Sequence, residues 1–269
     1  MRIALLLLMG IHGIIHLMGF LKAFNLAEFN AISQPISKGF GIIWLVAFML
    51  FLVSAILYTL KFNSWYIIAI LGVLLSQFLI FNYWADAKYG TLLNLVILAF
   101  GIVAFYATDF QNKVQAEASK ILEKSTDLPY SELSEDLISD LPPIVQKWLL
   151  ISGVMGKAPI QNVYLEQEAE MLMKPEQKDW SKAKARQYFT VEPPAFNWMV
   201  AMNLNPALSI VGRDKFENGK GEMCIKLFSI FPIVHAKNNE KIDQATLQRY
   251  LAEIVWFPSA ALSPYINWE

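Results

Sequence analysis

The sequence predicts an α-helical membrane bundle of four transmembrane helices followed by an α+β domain with a curved antiparallel sheet and flanking helices. Three observations predict it. Four long, almost uncharged apolar segments fill the first 108 of 269 residues. From Asp109 the composition turns charged, with 17 Lys/Arg against 21 Asp/Glu over residues 109–269, compared with five against two before it. Beyond Gly153, runs of strand-forming residues are punctuated by Pro193–Pro194 and Asn218–Gly219. The organisation read from this is a transmembrane region over 1–108, a charged, partly helical linker over 109–134, and an α+β domain over 135–269.

The first apolar segment runs from Ile3 to Leu21 and the second from Gly39 to Leu60, both without a charge. The third spans Phe62 to Ala85 and the fourth Tyr89 to Thr108. Each has the roughly 20 residues that a helix needs to cross the hydrocarbon of a bilayer. No soluble core needs four such runs in succession. Arg2 and Leu5–Leu8 also suit a signal peptide, but the apolar stretch is long for one and Gly19–Phe20–Leu21–Lys22 is a poor cleavage site, which favours a retained helix. Trp44, Trp65, Tyr66, Tyr83, Trp84, Tyr89 and Tyr106 fall partly near segment ends, as an interfacial aromatic belt does. Arg2, Lys61, Lys113 and Lys120 share one side of such a bundle, and Lys22, Lys38 and Lys88 the other. That bias, four against three, leans towards a soluble domain on the cytoplasmic side of the membrane that holds the helices.

Polar residues at membrane depth are the first candidate site. His12 and His16 stand one turn apart on one helix face. Ionisable groups there face a partner or a cavity. Two interpretations stand side by side: a metal-binding or proton-relaying pair, or interhelical hydrogen bonding beside the close-packing Gly10, Gly13 and Gly19. Ser76 and Gln77 are expected partners for the histidines. A second group, Asp86, Lys88, Thr91 and Asn94, surrounds the connection between the third and fourth helices. There Asp86 and Lys88 are expected to pair, and the turn either binds a polar headgroup or anchors the helix ends. No cofactor is expected apart from a metal on His12 and His16.

The remaining elements follow in order. Val114, Ala118, Ile121 and Leu122 keep helical spacing, so the fourth span continues as an amphipathic helix until Ser125, Thr126 and Pro129 break it. Pro142 and Pro143 suit the first turn of a helix with Ile144, Val145, Trp148 and Leu149 on its apolar face, stopped at Gly153. Strands are expected over Val163–Met173, Gln187–Val191, Phe196–Asn203, Leu208–Phe216 and Glu222–Phe231, with Asn218–Gly219 closing a hairpin. A last helix carries Leu247, Tyr250, Leu251, Ile254 and Val255 on one face, with Asp243 as N-cap.

Chemistry is sparse in this half. There is no G-x-S-x-G, phosphate loop, G-x-G-x-x-G or zinc-type spacing. Cys224 is the single cysteine, so no intramolecular disulfide forms, and His235 reads as structural. The mildly acidic balance argues against nucleic acid. Lys178, Lys182, Lys184 and Arg186 beside Trp180 form a basic run that either meets anionic headgroups or is simply solvated.

Leu141–Pro142–Pro143–Ile144–Val145, Trp198, Gly212–Arg213–Asp214–Lys215–Phe216, Asn218–Gly219–Lys220–Gly221 with Met223, and Arg249–Tyr250–Leu251–Ala252–Glu253 followed by Trp256 and Pro258 together resemble an uncharacterised bacterial family of unknown function. The resemblance covers about residues 135–269. It implies membrane helices ahead of the domain and a domain that continues with further strands past Trp268–Glu269, so the chain reads as cut short. It implies no reaction. Arg249 and Glu253 are one turn apart and able to pair, and Arg213–Asp214 precede the hairpin. A network of Arg213, Asp214, Arg249 and Glu253 is therefore the second candidate site, either for a ligand or as a clamp of helix to sheet. Trp256, Phe257 and Pro258 are expected to plug the core.

Three functions compete. The first is binding of lipid or another hydrophobic molecule in an apolar cavity between sheet and helix, near the bilayer. The second is a membrane enzyme or redox protein using His12 and His16. The third is a sensor or assembly factor, for which the sequence names no protein partner.

Overall fold

The structure, a computed structural model, describes residues 2–172, 176–205 and 208–269. Met173, the last residue of the first expected strand, lies outside the described residues. The chain forms two compact units, Met1–Asp109 and Phe110–Glu269.

The first unit is helical. It holds α1 (Arg2–Ala23), α2 (Lys38–Thr59), α3 (Trp65–Asn82), the single turn α4 (Trp84–Ala87) and the beginning of α5 (Gly90–Glu123). Four of these helices, α1, α2, α3 and α5, are long and apolar enough to cross a membrane by length and composition. Two boundaries differ from expectation. The third span begins at Trp65, because Leu60 to Ser64 turn and Lys61 takes a positive φ. It ends at Asn82, because Tyr83 leaves helical geometry (φ −121°, ψ 40°) and Trp84–Ala87 restart as a separate turn. The fourth span and the amphipathic segment after it are one helix of 34 residues.

These helices are apolar on both sides. Leu7, Ile11, Ile14, Leu71, Leu74 and Leu92 are exposed, while Leu5, Met9, Phe51, Leu79, Ile80 and Ile97 are buried together with the polar His12, His16, Ser54, Ser76 and Asn94. Small residues let the helices close up, as expected where packing rather than water drives association. A Cβ at Gly19 of α1 would overlap the Trp44 indole of α2.

The second unit is built on a six-stranded antiparallel sheet in the order β1–β2–β3–β4–β5–β6. The strands are β1 (Asn162–Met171), β2 (Ser181–Thr190), β3 (Ala195–Asn205), β4 (Leu208–Glu217), β5 (Lys220–Leu227) and β6 (Phe231–Lys237). Asn218 and Gly219 both take positive φ (54° and 72°) and close the β4–β5 hairpin, the conformation that this dipeptide favours. The expected strand Glu222–Phe231 is in fact two: Phe228 and Ser229 turn with positive φ, and β6 begins at Phe231.

Side chains alternate across the sheet. One face meets the end of α5, where Phe110 and Val114 pack on Met199, Val211 and Cys224. The other meets α7 (Glu240–Glu253) and the segment after it, around Phe189, Phe196, Phe216, Tyr250 and Phe257. Tyr250 is fully buried, and its hydroxyl donates to the Thr190 carbonyl at 3.0 Å. This aromatic packing fills the space between the sheet and α7, while on the opposite face a cavity of about 370 Å³ opens beside Gln111 of α5, Arg186, Met199 and Ala201.

Before the sheet, α6 (Pro143–Ser152) starts on its prolines and stops at Gly153 in the left-handed conformation. Two features of α7 depart from expectation. Its N-cap is Asn239, whose side chain accepts from the Ile242 amide at 3.0 Å. Asp243 instead accepts from the Gly221 amide at 2.8 Å, which ties the helix to the hairpin. The buried face carries Thr246, Tyr250 and Ile254, while Leu247, Leu251, Val255 and Trp256 are exposed. Of the expected plug, Phe257 and Pro258 are buried, but Trp256 only touches the rim of Phe189.

Candidate functional site

The strongest concentration of polar side chains in the helical unit is centred on α1. A spacing of four residues puts His12 and His16 on one face, and both are almost wholly buried, at 1% and 2% exposure. Ser76 of α3 lies between them, its Oγ 3.1 Å from His12 Nε2 and 2.8 Å from His16 Nε2. Asn94 of α5 places its Oδ1 2.8 Å from His12 Nε2. Asn94 Nδ2 donates to Gln77 Oε1 at 3.1 Å, and Gln77 Nε2 donates to Thr91 Oγ1 at 3.2 Å.

Donor and acceptor roles follow the tautomer: with its Nε2 protonated, His12 donates to Asn94 Oδ1, and with its Nδ1 protonated, His16 accepts the Ser76 hydroxyl at Nε2. Neither Nδ1 has a hydrogen-bond partner among the described residues, and neither has the Trp44 Nε1–H. The rings pack together: His12 and His16 meet edge-on at 4.9 Å, His16 stacks on Phe51, and Trp44 tilts against His16 at 5.1 Å.

A cavity of about 450 Å³ opens beside these rings. His12, His16, Trp44, Ile80 and Leu93 line it, together with Asp86. It lies at the end of the helical unit that holds the C-terminus of α1 and the N-termini of α2 and α5. The segment between α1 and α2 covers part of it through Ala31 and Ile32. That segment is held by polar contacts. Asp86 accepts from the Ser33 amide (2.8 Å), the Ser33 hydroxyl (2.7 Å) and the Gln34 amide (3.0 Å). The Ser33 hydroxyl is the largest cause holding the Asp86 carboxyl below the usual range. Lys22 Nζ donates to the Ile32 carbonyl.

The residues expected in this region are thus partly brought together. His12, His16 and Asn94 share one network, and Asp86 shares the cavity with the histidines. Asp86 does not pair with Lys88, whose ammonium stands over the Tyr89 ring at 5.3 Å instead. Gln77 supports Asn94 rather than a histidine. Among the described residues, no group of three or more His, Cys, Asp or Glu side chains is placed to hold a metal ion. A metal on His12 and His16 would have only the two Nδ1 atoms, since both Nε2 atoms are engaged.

The second expected site divides in two. Arg213 and Asp214 are neighbours on β4, so they project to opposite faces. Asp214 meets α7, where it pairs with Arg249 at 2.6 Å, and Arg249 pairs with Glu253 at 3.1 Å. The Arg249 guanidinium stands 4.7 Å from the Trp198 ring and 5.1 Å from that of Phe196. Gln187 Nε2 donates to Glu253 at 2.7 Å. The side chains are packed together as a clamp between helix and sheet. Burial raises the Asp214 pKa against the opposing pull of Arg249 and Arg213.

On the other face, Arg213 is 3% exposed. It reaches Glu117 of α5 at 2.7 Å and Glu222 of β5 at 2.5 Å. Asn197 adds a hydrogen bond to Glu117 at 3.3 Å, and His235 Nε2 lies 3.2 Å from Glu222. Glu117, Glu222, Gln187 and Trp198 were not legible as site residues, because only strand register and helix docking bring them to the arginines. The basic run is also resolved by register: Arg186, Lys184 and Lys182 stand opposite Glu166, Glu168 and Glu170 on β1. Opposite charges so placed neutralise one another across the strands.

The two faces carry opposite pH signatures. Burial raises the Glu222 pKa, but the charge of Arg213 and the hydrogen bonds from His235 and Arg213 outweigh it and leave the group below its usual value. A depressed carboxylate contributes stability that is present above its unfolded pKa and lost as pH falls through the folded one. Asp214, being raised, has the opposite sign: ionising it opposes folding, and protonation relieves that. Glu222→Gln is therefore expected to shrink the stability loss between neutral pH and pH 4, measured by urea unfolding at each pH. Asp214→Asn is expected to enlarge it.

Residues 131–269 match the model of a family described as "Family of unknown function (DUF6544)". No curated protein and no solved structure matches the chain. The matched region takes in the whole sheet and α7, with both arginines and their partners other than Glu117 of α5, and leaves the histidine cavity outside. Since the match spans just over half of the 269 residues, the chain belongs to this family of unknown function.

Proposed function

We infer that the chain is a multi-pass membrane protein whose helical region binds one hydrophobic molecule bearing a hydrogen-bonding group, in the cavity beside His12 and His16. The observation that carries this is the cavity itself. At about 450 Å³ it falls within the range of small-molecule sites, roughly 300–1,000 Å³. Its walls are mostly apolar, and the polar atoms left without protein partners belong to His12, His16 and Trp44. Buried polar groups are normally satisfied; each of these three atoms is covered by the packed rings, so a ligand in the cavity bonds it once a ring turns. Two imidazole Nδ1 atoms, each a donor or an acceptor according to its tautomer, and the Trp44 N–H donor suit a ligand end that both donates and accepts, such as a hydroxyl.

The membrane reading rests on the large apolar side chains that these helices expose and on their length and composition. The hydrophobic ligand expected from the sequence is kept, but its site moves from the sheet, whose apolar face is filled by aromatic side chains, to the helices. The sheet domain then serves as the part facing water, and its two clusters act as clamps.

Membrane fractionation of the full chain followed by lipid extraction tests this. The protein should stay with the membrane through an alkaline carbonate wash and leave it only in detergent. The purified protein should carry one hydrophobic species enriched over bulk lipid. Release by carbonate, or an extract that matches bulk lipid, would falsify the proposal.

A further inference from the structure

We propose that the cavity is loaded sideways from the bilayer, through a gap between Ile15 of α1 and Tyr89 at the start of α5, and that the α1–α2 segment is a fixed cap over its other end. This deepens, and rests on, the membrane reading above.

Exposure around the cavity rim is uneven. Ile15 is 42% exposed and Tyr89 80%, yet both line the cavity. Ile80, on the far wall, is 1% exposed. Ile15 sits eight residues before the end of α1 at Ala23, about 12 Å down the helix axis. The rim therefore extends well along the outward side of the helix. Its neighbours on that side are Ile11 and Ile14, both exposed. The mouth therefore starts at Tyr89, at the end of the helices, and runs along α1 past Ile15 among outward-facing isoleucines, so that an amphiphile's tail enters from the hydrocarbon.

The other end is closed by Ala31 and Ile32. Three hydrogen bonds to Asp86 and one from Lys22 hold the three residues Ile32–Gln34, next to Ala31. Opening that end would strip all four contacts at once, whereas the lateral gap needs no hydrogen bond to break. A molecule using this route is one already dissolved in the membrane. That excludes water-soluble metabolites and fits an amphiphile whose polar end reaches the histidines.

The test uses the full chain in phosphatidylcholine vesicles containing a trace of a long-chain alcohol with a diazirine at its tail. After irradiation, peptide mass spectrometry locates the label. Label is expected on Ile80, reachable only through the cavity, as well as on the outward Leu92, which reports folding and insertion. Ile15→Trp should lower the Ile80-to-Leu92 ratio about tenfold by crowding the gap. Tyr89→Ala, which widens the same gap, should raise the ratio and serves if the tryptophan variant does not fold. Ser33→Ala, which removes one of the cap's hydrogen bonds at a residue outside the cavity wall, should leave it within about twofold.

Wild-type label confined to outward residues overturns the proposal. So does a ratio unmoved by both rim variants, or one that rises about tenfold in Ser33→Ala, which would put the entrance under the cap. Failure of the binding reading looks different: label on Ile80 without any co-purified molecule leaves the route standing and removes the resident ligand. A co-purified molecule without label on Ile80 does the reverse.

Discussion

Arg213→Ala is expected to destabilise the sheet domain by about 3 kcal/mol, the lower end of the cost of breaking a buried ion pair from one side. The arginine is 3% exposed, whereas its partners Glu117 and Glu222 are 18% and 30% exposed. Removing it leaves two carboxylates facing one another across a vacated site. The partial exposure of those carboxylates places the cost at the lower end. For a unit of this size the change corresponds to a fall in Tm of about 6–12 °C, read by tryptophan fluorescence on the detergent-solubilised chain. The exposed pair Lys184–Glu168, at 81% exposure on both sides, is the control. Lys184→Ala should leave Tm unchanged, because surface pairs are screened by solvent.

The second large effect concerns the cavity. Leu93→Trp places an indole into space that Leu93 now lines. The cavity accepts the added volume, so the fold should survive. The bound molecule should not, and its retention through purification should drop about tenfold or more, equivalent to at least about 1.4 kcal/mol. Leu92→Trp, one residue away on an outward position that is 67% exposed, should retain the molecule as wild type does. The contrast between adjacent positions separates occupancy of the cavity from a general effect of a bulky side chain on the helix.

Much of the architecture was legible because it depends on local sequence. Four uncharged runs of membrane length need no tertiary information, and Asn218–Gly219 fixes its hairpin through backbone preference alone. The break between β5 and β6 was not legible. The chain turns there through Phe228 and Ser229, residues that carry no turn signature, so Glu222–Phe231 read as one strand. The face of α7 was misjudged for a related reason. Apolar spacing selected Leu247 and Leu251, while the helix is oriented by polar contacts, with Asp243 on the Gly221 amide and Arg249 on Asp214.

The sites divide along the same line. The i, i+4 pair of His12 and His16 was visible in one helix, and Ser76 was legible as their partner from its depth in α3. Asn94 was assigned to the α4–α5 connection, although its side chain reaches His12 one turn further in. The role of Trp44 was hidden, since an aromatic residue near a span end reads as part of an interfacial belt. Arg213 and Asp214 were grouped because they are adjacent in sequence. Strand alternation separates them, and that period of two would have divided them had the strand assignment been applied to the side chains.

The most direct test of a ligand-holding helical region is native mass spectrometry of the full chain released from mild detergent. The wild-type protein is expected to retain a discrete adduct of one hydrophobic molecule per chain, and Leu93→Trp to lack it while remaining folded. A wild-type spectrum showing only bare protein and heterogeneous detergent or lipid, indistinguishable from that of Leu93→Trp, would contradict the account.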